Sequence, residues 1–306
     1  MTEVSIQPAS ASCAVRGIYF MLLSVFLFSL MDALIKWVSA THPVGQIIFF
    51  RNIFAFVPVF FVLRQAGGGL AVLRTRHLGG HVMRGAMGIL SMVCIFGAFS
   101  LMPLGEAVAL SLSAPLFVTV LSVPLLGERV GIRRWSAALV GFAGILVMTR
   151  PGTGVFHPVA LLAVGGALFY ALAVISIRRL STADPPATIV FYFTAFAAAA
   201  GAVSLPFQWV TPDAVGLALL VSIGLLGGIA QLALTQAFRL APVALVAPFD
   251  YGALVFAVFF GYVVWGDVPD LFIIAGAMIV VGSGLYILHR ESRLGRLSRT
   301  GAEEPT

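Results

Sequence analysis

Ten stretches of about 20 residues, nearly all apolar, follow one another at 17–38, 45–64, 82–101, 105–126, 134–149, 158–177, 187–205, 215–238, 243–264 and 270–289. An α-helix of that length rises about 30 Å, the depth of a bilayer's hydrocarbon core. No single soluble core absorbs ten such runs, and the charge content agrees: 10% of residues are charged, where a soluble domain has about 25%. A porin-like barrel needs alternating strands of about 10 residues, and these runs are continuously apolar. The chain therefore reads as an all-α integral membrane protein with ten transmembrane helices.

Basic residues fix the expected orientation. With the N-terminus in the cytoplasm, 15 of the 18 Lys and Arg fall on the inner side, among them Arg16, Arg64, Arg84, Arg133, Arg179 and Arg239. The outer ends hold Lys36 and Arg150, and Arg51 lies within a span. This bias predicts both termini inside a bacterial-type inner (plasma) membrane, and an even number of helices. The net charge of +6 thus reports topology, and no nucleic-acid partner is expected. The apolar run after Arg16 continues to about Val38 without a small-residue cleavage site, so it is expected to stay as the first span.

Two cysteines, Cys13 and Cys94, offer neither a disulfide framework nor a metal motif. His42, His77, His81, His157 and His289 are scattered without metal-ligand spacing, and no phosphate-binding loop is present to power transport by ATP. No cofactor is expected.

The chain also repeats. A shift of 139 residues lays Ala98-Phe99-Ser100-Leu101-Met102-Pro103 on Ala237-Phe238-Arg239-Leu240-Ala241-Pro242, and Gly127-Glu128 on Gly266-Asp267. A shift of 142 lays Ser39 to Pro43 on Ser181 to Pro185, and Phe49 on Phe191. Five helices are an odd number, so a second copy enters the membrane from the opposite side. Inverted repeats of this kind place a substrate site at their interface near the midplane.

On these residues the chain resembles a known family. Pro103-Leu104-Gly105-Glu106-Ala107-Val108-Ala109-Leu110, running through Pro115-Leu116-Phe117 to Leu126-Gly127-Glu128-Arg129, is similar to the end of an EamA domain of the drug/metabolite transporter superfamily. Ala241-Pro242-Val243 through Gly266-Asp267 and Gly276 to Gly284 resembles the same segment. The second copy carries Asp267 where Glu is usual, and Leu254 where the first has Pro115. The resemblance implies a ten-helix secondary transporter with a polar tail at 1–15, five-helix EamA-like repeats at 16–150 and 151–290, and a polar tail at 291–306. It implies as substrates amino-acid-like metabolites, nucleoside-like compounds such as S-adenosylmethionine, or vitamins such as riboflavin.

Ionisable groups inside hydrocarbon cost about 2.5–3.5 kcal/mol or more, so each is a candidate. Asp32 shares a helix face with Lys36, four residues on; the two form either a self-neutralising pair or part of a substrate or proton site. Arg51 and Glu106 lie toward the outer ends of their helices and could join Asp32 in one layer at an outer gate. Asp250 lies about 10 Å inside the ninth helix, in Ala247-Pro248-Phe249-Asp250-Tyr251-Gly252, with no basic residue near it in sequence. Proline and glycine there loosen the helix and free carbonyls for a cavity. A carboxyl at that depth suits proton coupling or a cationic substrate, or else it bonds to Gln231 or Gln236. With Arg239 it would form an inner gate.

The repeat sets Ser111, with Ser113, opposite Asp250 in a proline-interrupted stretch of the fourth helix. Tyr170, Tyr192 and Tyr251 lie within spans, where a hydroxyl wants a partner. Asp250 with Tyr251 and Phe249 favours a cationic or aromatic, nitrogen-containing solute moved by alternating access, driven by protons or by exchange. An amino-acid exporter is the alternative; a membrane enzyme or a channel lacks its usual cluster or pore lining here. The expected partners are the bilayer and a small-molecule substrate, with a proton as candidate coupling ion and a homodimer as candidate assembly.

Overall fold

The computed structural model describes residues 11–65, 73–127, 131–150, 158–180, 183–240 and 247–300. Among these there is no β-strand. Six helices are long and apolar enough to cross a membrane, and four shorter apolar helices, Trp135–Thr149, Thr188–Ser204, Phe249–Trp265 and Leu271–Ile287, complete the ten. With the fourth span divided in two, the α-helices in chain order are α1 (Ala11–Val38), α2 (Val44–Gln65), α3 (Leu78–Leu101), α4 (Leu104–Ser111), α5 (Ala114–Leu126), α6 (Ile132–Thr149), α7 (Ala160–Leu180), α8 (Pro186–Ser204), α9 (Ala214–Leu240), α10 (Gly252–Trp265) and α11 (Leu271–Thr300). Two termini differ from the sequence expectation: α1 starts at Ala11, and α11 runs past 289 to Thr300.

The fourth span is broken into α4 and α5 at Leu112-Ser113. Pro115 has no N–H for the Ser111 carbonyl and its ring excludes that carbonyl, so α4 must end there. Pro115 then sits in the first turn of α5, where a missing N–H costs nothing. At the matching position in the ninth span, a 3₁₀ turn over Ala247–Tyr251 gives way to α10. The 139-residue shift lays Ser111 on Asp250 and Ser113 on Gly252. The break in the fourth span and the change from 3₁₀ to α-helix in the ninth thus fall at matching positions of the repeat.

The halves also match in fine geometry. Gly127 closes α5 with φ 69° and Gly266 closes α10 with φ 70°, a left-handed conformation that costs glycine little. Their N–H groups donate to the carbonyls of Val123 and Tyr262, again 139 apart.

Packing follows the same exchange. α1 lies on α9 as α3 lies on α7, while α2 pairs with α8, α4 with α10, and α6 with α11. The first two interfaces carry the same hydrogen bond: Ser91 Oγ donates to Gly166 O at 3.0 Å, and Ser24 Oγ donates to Ala230 O at 2.9 Å. Small shifts in repeat register, 139 and 142, interconvert these pairs. A continuous apolar core around Ile35, Ile47, Leu104, Leu116 and Ile223 joins the halves. Phe60, Phe61, Val255 and Met278 stay exposed on the outside of helices, as lipid-facing residues do.

α4 packs on α10, α7 and α1, and α5, the other half of the same span, packs on α7 and α6. The end where α1 finishes, at which α4 draws these helices together, is the convergent end.

Candidate functional site

Five ionisable side chains from five segments meet inside the bundle. Asp32 of α1 is in electrostatic range of Arg51 of α2 and of Asp250 in the 3₁₀ turn. Arg51 is in range of Arg84 of α3, Arg84 of Tyr170 of α7, and Tyr170 of Asp250. These long-range electrostatic interactions link the five side chains in a ring, with three members from the first repeat and two from the second. Neither aspartate forms an ion pair or hydrogen bond among the described residues. Tyr170 is 45% exposed and Asp250 is also exposed, although both lie between helices. Both side chains keep accessible surface, and the space they face is the candidate cavity.

The two arginines are the most deeply buried of the five. Arg51 is 5% exposed and Arg84 8%. Arg51 Nη1 donates to Asn52 Oδ1 at 2.9 Å, but its Nε has no partner. Arg84 lies against Phe193 of α8, with Cζ 4.0 Å from the ring centroid, and its Nε and Nη1 are unbonded. Both reach inward over glycines: a Cβ at Gly88 would sit 2.4 Å from Arg84 Nη1, and one at Gly227 would sit 3.3 Å from Arg51 Nε. Gly88 and Gly227 are again 139 apart.

Arg84 corrects the expectation that it belongs to the cytoplasmic loops. It stands two turns into α3, and the neighbouring Gly88 with Phe193 of α8 holds its guanidinium inside. Its position within the span 82–101 was the available signal, and only the partner helix settles its direction.

The other expected site residues divide. Ser111 is half-buried and Ser113 fully buried, and their hydroxyls donate to Ala107 O at 2.8 Å and Leu110 O at 2.6 Å, supporting the break in the fourth span. Phe249 packs on Met21, Val25 and Ala237. Tyr251 is buried with its hydroxyl against Gly284 of α11, where a Cβ would have no room. Gln231 is a half-buried residue of α9. The side chain of Arg239 lies outside the described residues.

Glu106 is not in the ring. It stands on α4 in range of Asp270, Asp267, Arg150 and Lys36, in a separate layer at the convergent end. Lys36 likewise turns away from Asp32: its Nζ donates to Met102 O at 2.9 Å and to Asp267 Oδ2 at 3.3 Å, over the Trp265 ring. The i,i+4 spacing allowed an Asp32–Lys36 pair, but Lys36 near the helix end reaches a carboxylate in the link between α10 and α11. Arg150 pairs with Asp270, which also caps α11 by accepting from Ile273 N at 2.8 Å. Trp37 meets Trp265 at 6.5 Å between centroids, and Gln46 exchanges two hydrogen bonds with Val210.

At the other end, Asp184 accepts from the Thr75 hydroxyl at 2.7 Å and lies 2.9 Å from His81 Nε2. The Thr75 hydroxyl, and then His81, hold this carboxyl below the usual carboxylate range despite its burial. Tyr192 belongs here rather than to the cavity, with its ring 4.7 Å from His81 and its hydroxyl on Leu73 O. This cluster ties the start of α3 to the link between α7 and α8.

Comparison with known proteins gives this arrangement its context. The description "EamA-like transporter family" matches residues 15–150 and again residues 157–288. The pseudopaline exporter CntI of Pseudomonas aeruginosa is 35% identical over 87% of this chain and 93% of its own. A riboflavin transporter of Rhizobium johnstonii is 30% identical over 96% of this chain and 97% of its own. An S-adenosylmethionine uptake transporter of Rickettsia prowazekii is 29% identical over 91% and 94%. A protein crystal structure, 23% identical, superposes with a TM-score of 0.64 over 92% of this chain and 99% of its own, and so shares the fold. Ten apolar helices, two matched halves and these relatives agree that the chain belongs to the EamA-like transporter family, as a multi-pass membrane transporter of small metabolites.

Proposed function

We propose that the protein is a secondary transporter that carries a small organic solute by alternating access, with its substrate site in the ring of Asp32, Arg51, Arg84, Tyr170 and Asp250. The units that move against each other are residues 16–150 and 151–290. The observation that carries this reading is the ring itself, because a charged cluster built jointly by both repeats inside the bundle is costly in hydrocarbon unless something binds there.

The basic residues put both termini in the cytoplasm of a bacterial-type inner membrane. On that orientation the convergent end, held by Lys36, Asp267, Arg150 and Asp270, is the outer gate, closed in this conformer. On this reading the cavity opens toward the cytoplasm. Asp32 and Asp250, carboxyls without ion pairs, are the groups through which a proton would couple to the solute. The relatives' substrates, pseudopaline, riboflavin and S-adenosylmethionine, are the compounds to try first. No chemical transformation is part of this function.

The test is counterflow in proteoliposomes: vesicles preloaded with one of these unlabelled compounds and offered the same compound with a label. Transient accumulation of label that Asp250→Asn reduces at least tenfold is the expected result. A steady ionic conductance without counterflow would instead mark a channel. Uptake unaffected by a pH gradient or an uncoupler would remove the proton from the mechanism and leave exchange.

A further inference from the structure

The stretch from Ala33 to Gly105 holds no acidic residue, yet it carries Lys36, Arg51, Arg64, Arg74, Arg76 and Arg84. Arg64 at the end of α2, and Arg74 and Arg76 ahead of α3, are exposed and form no ion pair among the described residues. The loop that carries the last two is pinned from within. Leu73 O accepts from the Tyr192 hydroxyl at 3.0 Å, and the Thr75 hydroxyl donates to Asp184 at 2.7 Å while accepting from His77 N at 2.9 Å. Leu73 and Thr75 are therefore half-buried, and Arg74 and Arg76 alternate with them on the open side. These four residues and Tyr192 line a groove. The nearby carboxylate, Asp184, is already held by Thr75 and His81 and leaves the guanidiniums free for another anion.

A second groove adjoins the first and is apolar throughout. It is lined by Phe56, Val57, Phe60 and Phe61 of α2 and by Phe191 of α8. Phe56 meets Phe191 edge to face at 5.6 Å between centroids, and the Phe191 ring stands 5.8 Å from that of Tyr192. The two grooves thus share one aromatic wall. Phe56, Phe60 and Arg64 are spaced by four, so one stripe of α2 leads from the apolar groove to a guanidinium.

We propose that the paired grooves bind one anionic phospholipid, its phosphate on Arg74 and Arg76 and an acyl chain along the phenylalanines. Guanidiniums offer a phosphate parallel N–H donors, and basic pockets beside membrane helices hold anionic headgroups in this way. A zwitterionic headgroup would set its own cation against three arginines. A soluble phosphate ester would make no use of the apolar groove. The lipid would touch α2 and the loop before α3 from the first repeat and α8 from the second, across a seam where α2 packs on α8. The site does not depend on the transport reading, which only names its leaflet as the cytoplasmic one.

The test titrates delipidated protein in mild detergent with phosphatidylglycerol and with phosphatidylcholine of the same chains, reading bound lipid by native mass spectrometry. The first phosphatidylglycerol should bind at least tenfold more tightly. Arg74→Gln with Arg76→Gln should bring the two lipids within threefold. Arg16→Gln with Arg133→Gln removes the same charge from other basic positions and should keep the preference. Phe60→Ala with Phe61→Ala should weaken phosphatidylglycerol at least threefold, and a hundredfold excess of glycerol 3-phosphate should not displace it. Equal affinities in the wild-type protein, a comparison that needs no variant, would overturn the proposal. So would a preference that both arginine pairs lose alike, which marks general surface charge. Displacement by glycerol 3-phosphate would mark a soluble-anion site instead, and unchanged affinity in the phenylalanine variant would remove the acyl chain from the groove. Each of these results leaves counterflow, and with it the transport reading, to be judged separately.

Discussion

Lys36 Nζ lies 3.3 Å from Asp267 Oδ2 across 231 positions of sequence, joining the end of α1 to the link between α10 and α11. The same ammonium holds Met102 O, so one side chain gathers three segments at the convergent end. Both partners are partly exposed, which limits the pair to about 0.2–1 kcal/mol. Lys36→Met and Asp267→Asn should each lower the thermal stability of purified protein slightly, and the double variant should lose less than the sum. Strict additivity in that cycle would mean that the two do not hold the gate together.

Gly127 and Gly266 test whether the halves are equivalent. Their φ angles of 69° and 70° demand a conformation that costs a residue with a Cβ roughly 1–2 kcal/mol. Gly127→Ala and Gly266→Ala should therefore lower the melting temperature by the same amount. A large difference between them would show that the two caps carry unequal load.

Gly284 and Gly282 make a sharper contrast. A Cβ at Gly284 would stand 1.7 Å from the Tyr251 hydroxyl, whereas at Gly282 nothing lies within 4 Å. Gly284→Ala should push Tyr251, and with it the adjacent Asp250, out of place, cutting transport at least fivefold. Gly282→Ala should leave transport within twofold, and equal effects would remove Tyr251 as the wedge that sets the 3₁₀ turn.

Acid should act in part through Asp184. Its carboxyl is held low in the folded protein by the Thr75 hydroxyl and then His81, so it binds a proton more weakly there than in the unfolded chain. The stability this supplies is present above the unfolded value of about 3.9 and fades as pH falls through the lower folded value. Wild type should lose thermal stability on acidification below about pH 4, with a shallower loss in Asp184→Asn. Identical pH profiles would show that the link between α3 and the α7–α8 connection carries no such energy.

Much of this was legible in the sequence because it is written in local terms. Ten apolar runs gave ten spans, Pro115 marked the break in the fourth, and the 139-residue shift placed Ser111 opposite Asp250 and Gly127 on Gly266. What was not legible depends on partners far along the chain. Lys36 has two carboxylates it could pair with, and spacing favours Asp32, yet the helix end carries it to Asp267. Arg84 lies near the end of its span, where basic residues usually snorkel to headgroups, and only Phe193 from another repeat with the open side of Gly88 turns it inward. Glu106 sits at a helix start whose neighbours come from three other segments. Side-chain direction at such places is a property of tertiary packing.

The placement of the solute between the repeats is tested most directly at Tyr170, a ring member with exposed surface. With Cys13 and Cys94 replaced by serine, Tyr170→Cys is labelled by a membrane-impermeant maleimide in vesicles of known orientation, with and without a compound that exchanges in counterflow. Labelling from the face where α1 begins, slowed at least fivefold by the solute, is the predicted result. Labelling that the solute leaves unchanged, or that comes only from the convergent face, would contradict a binding site in this cavity.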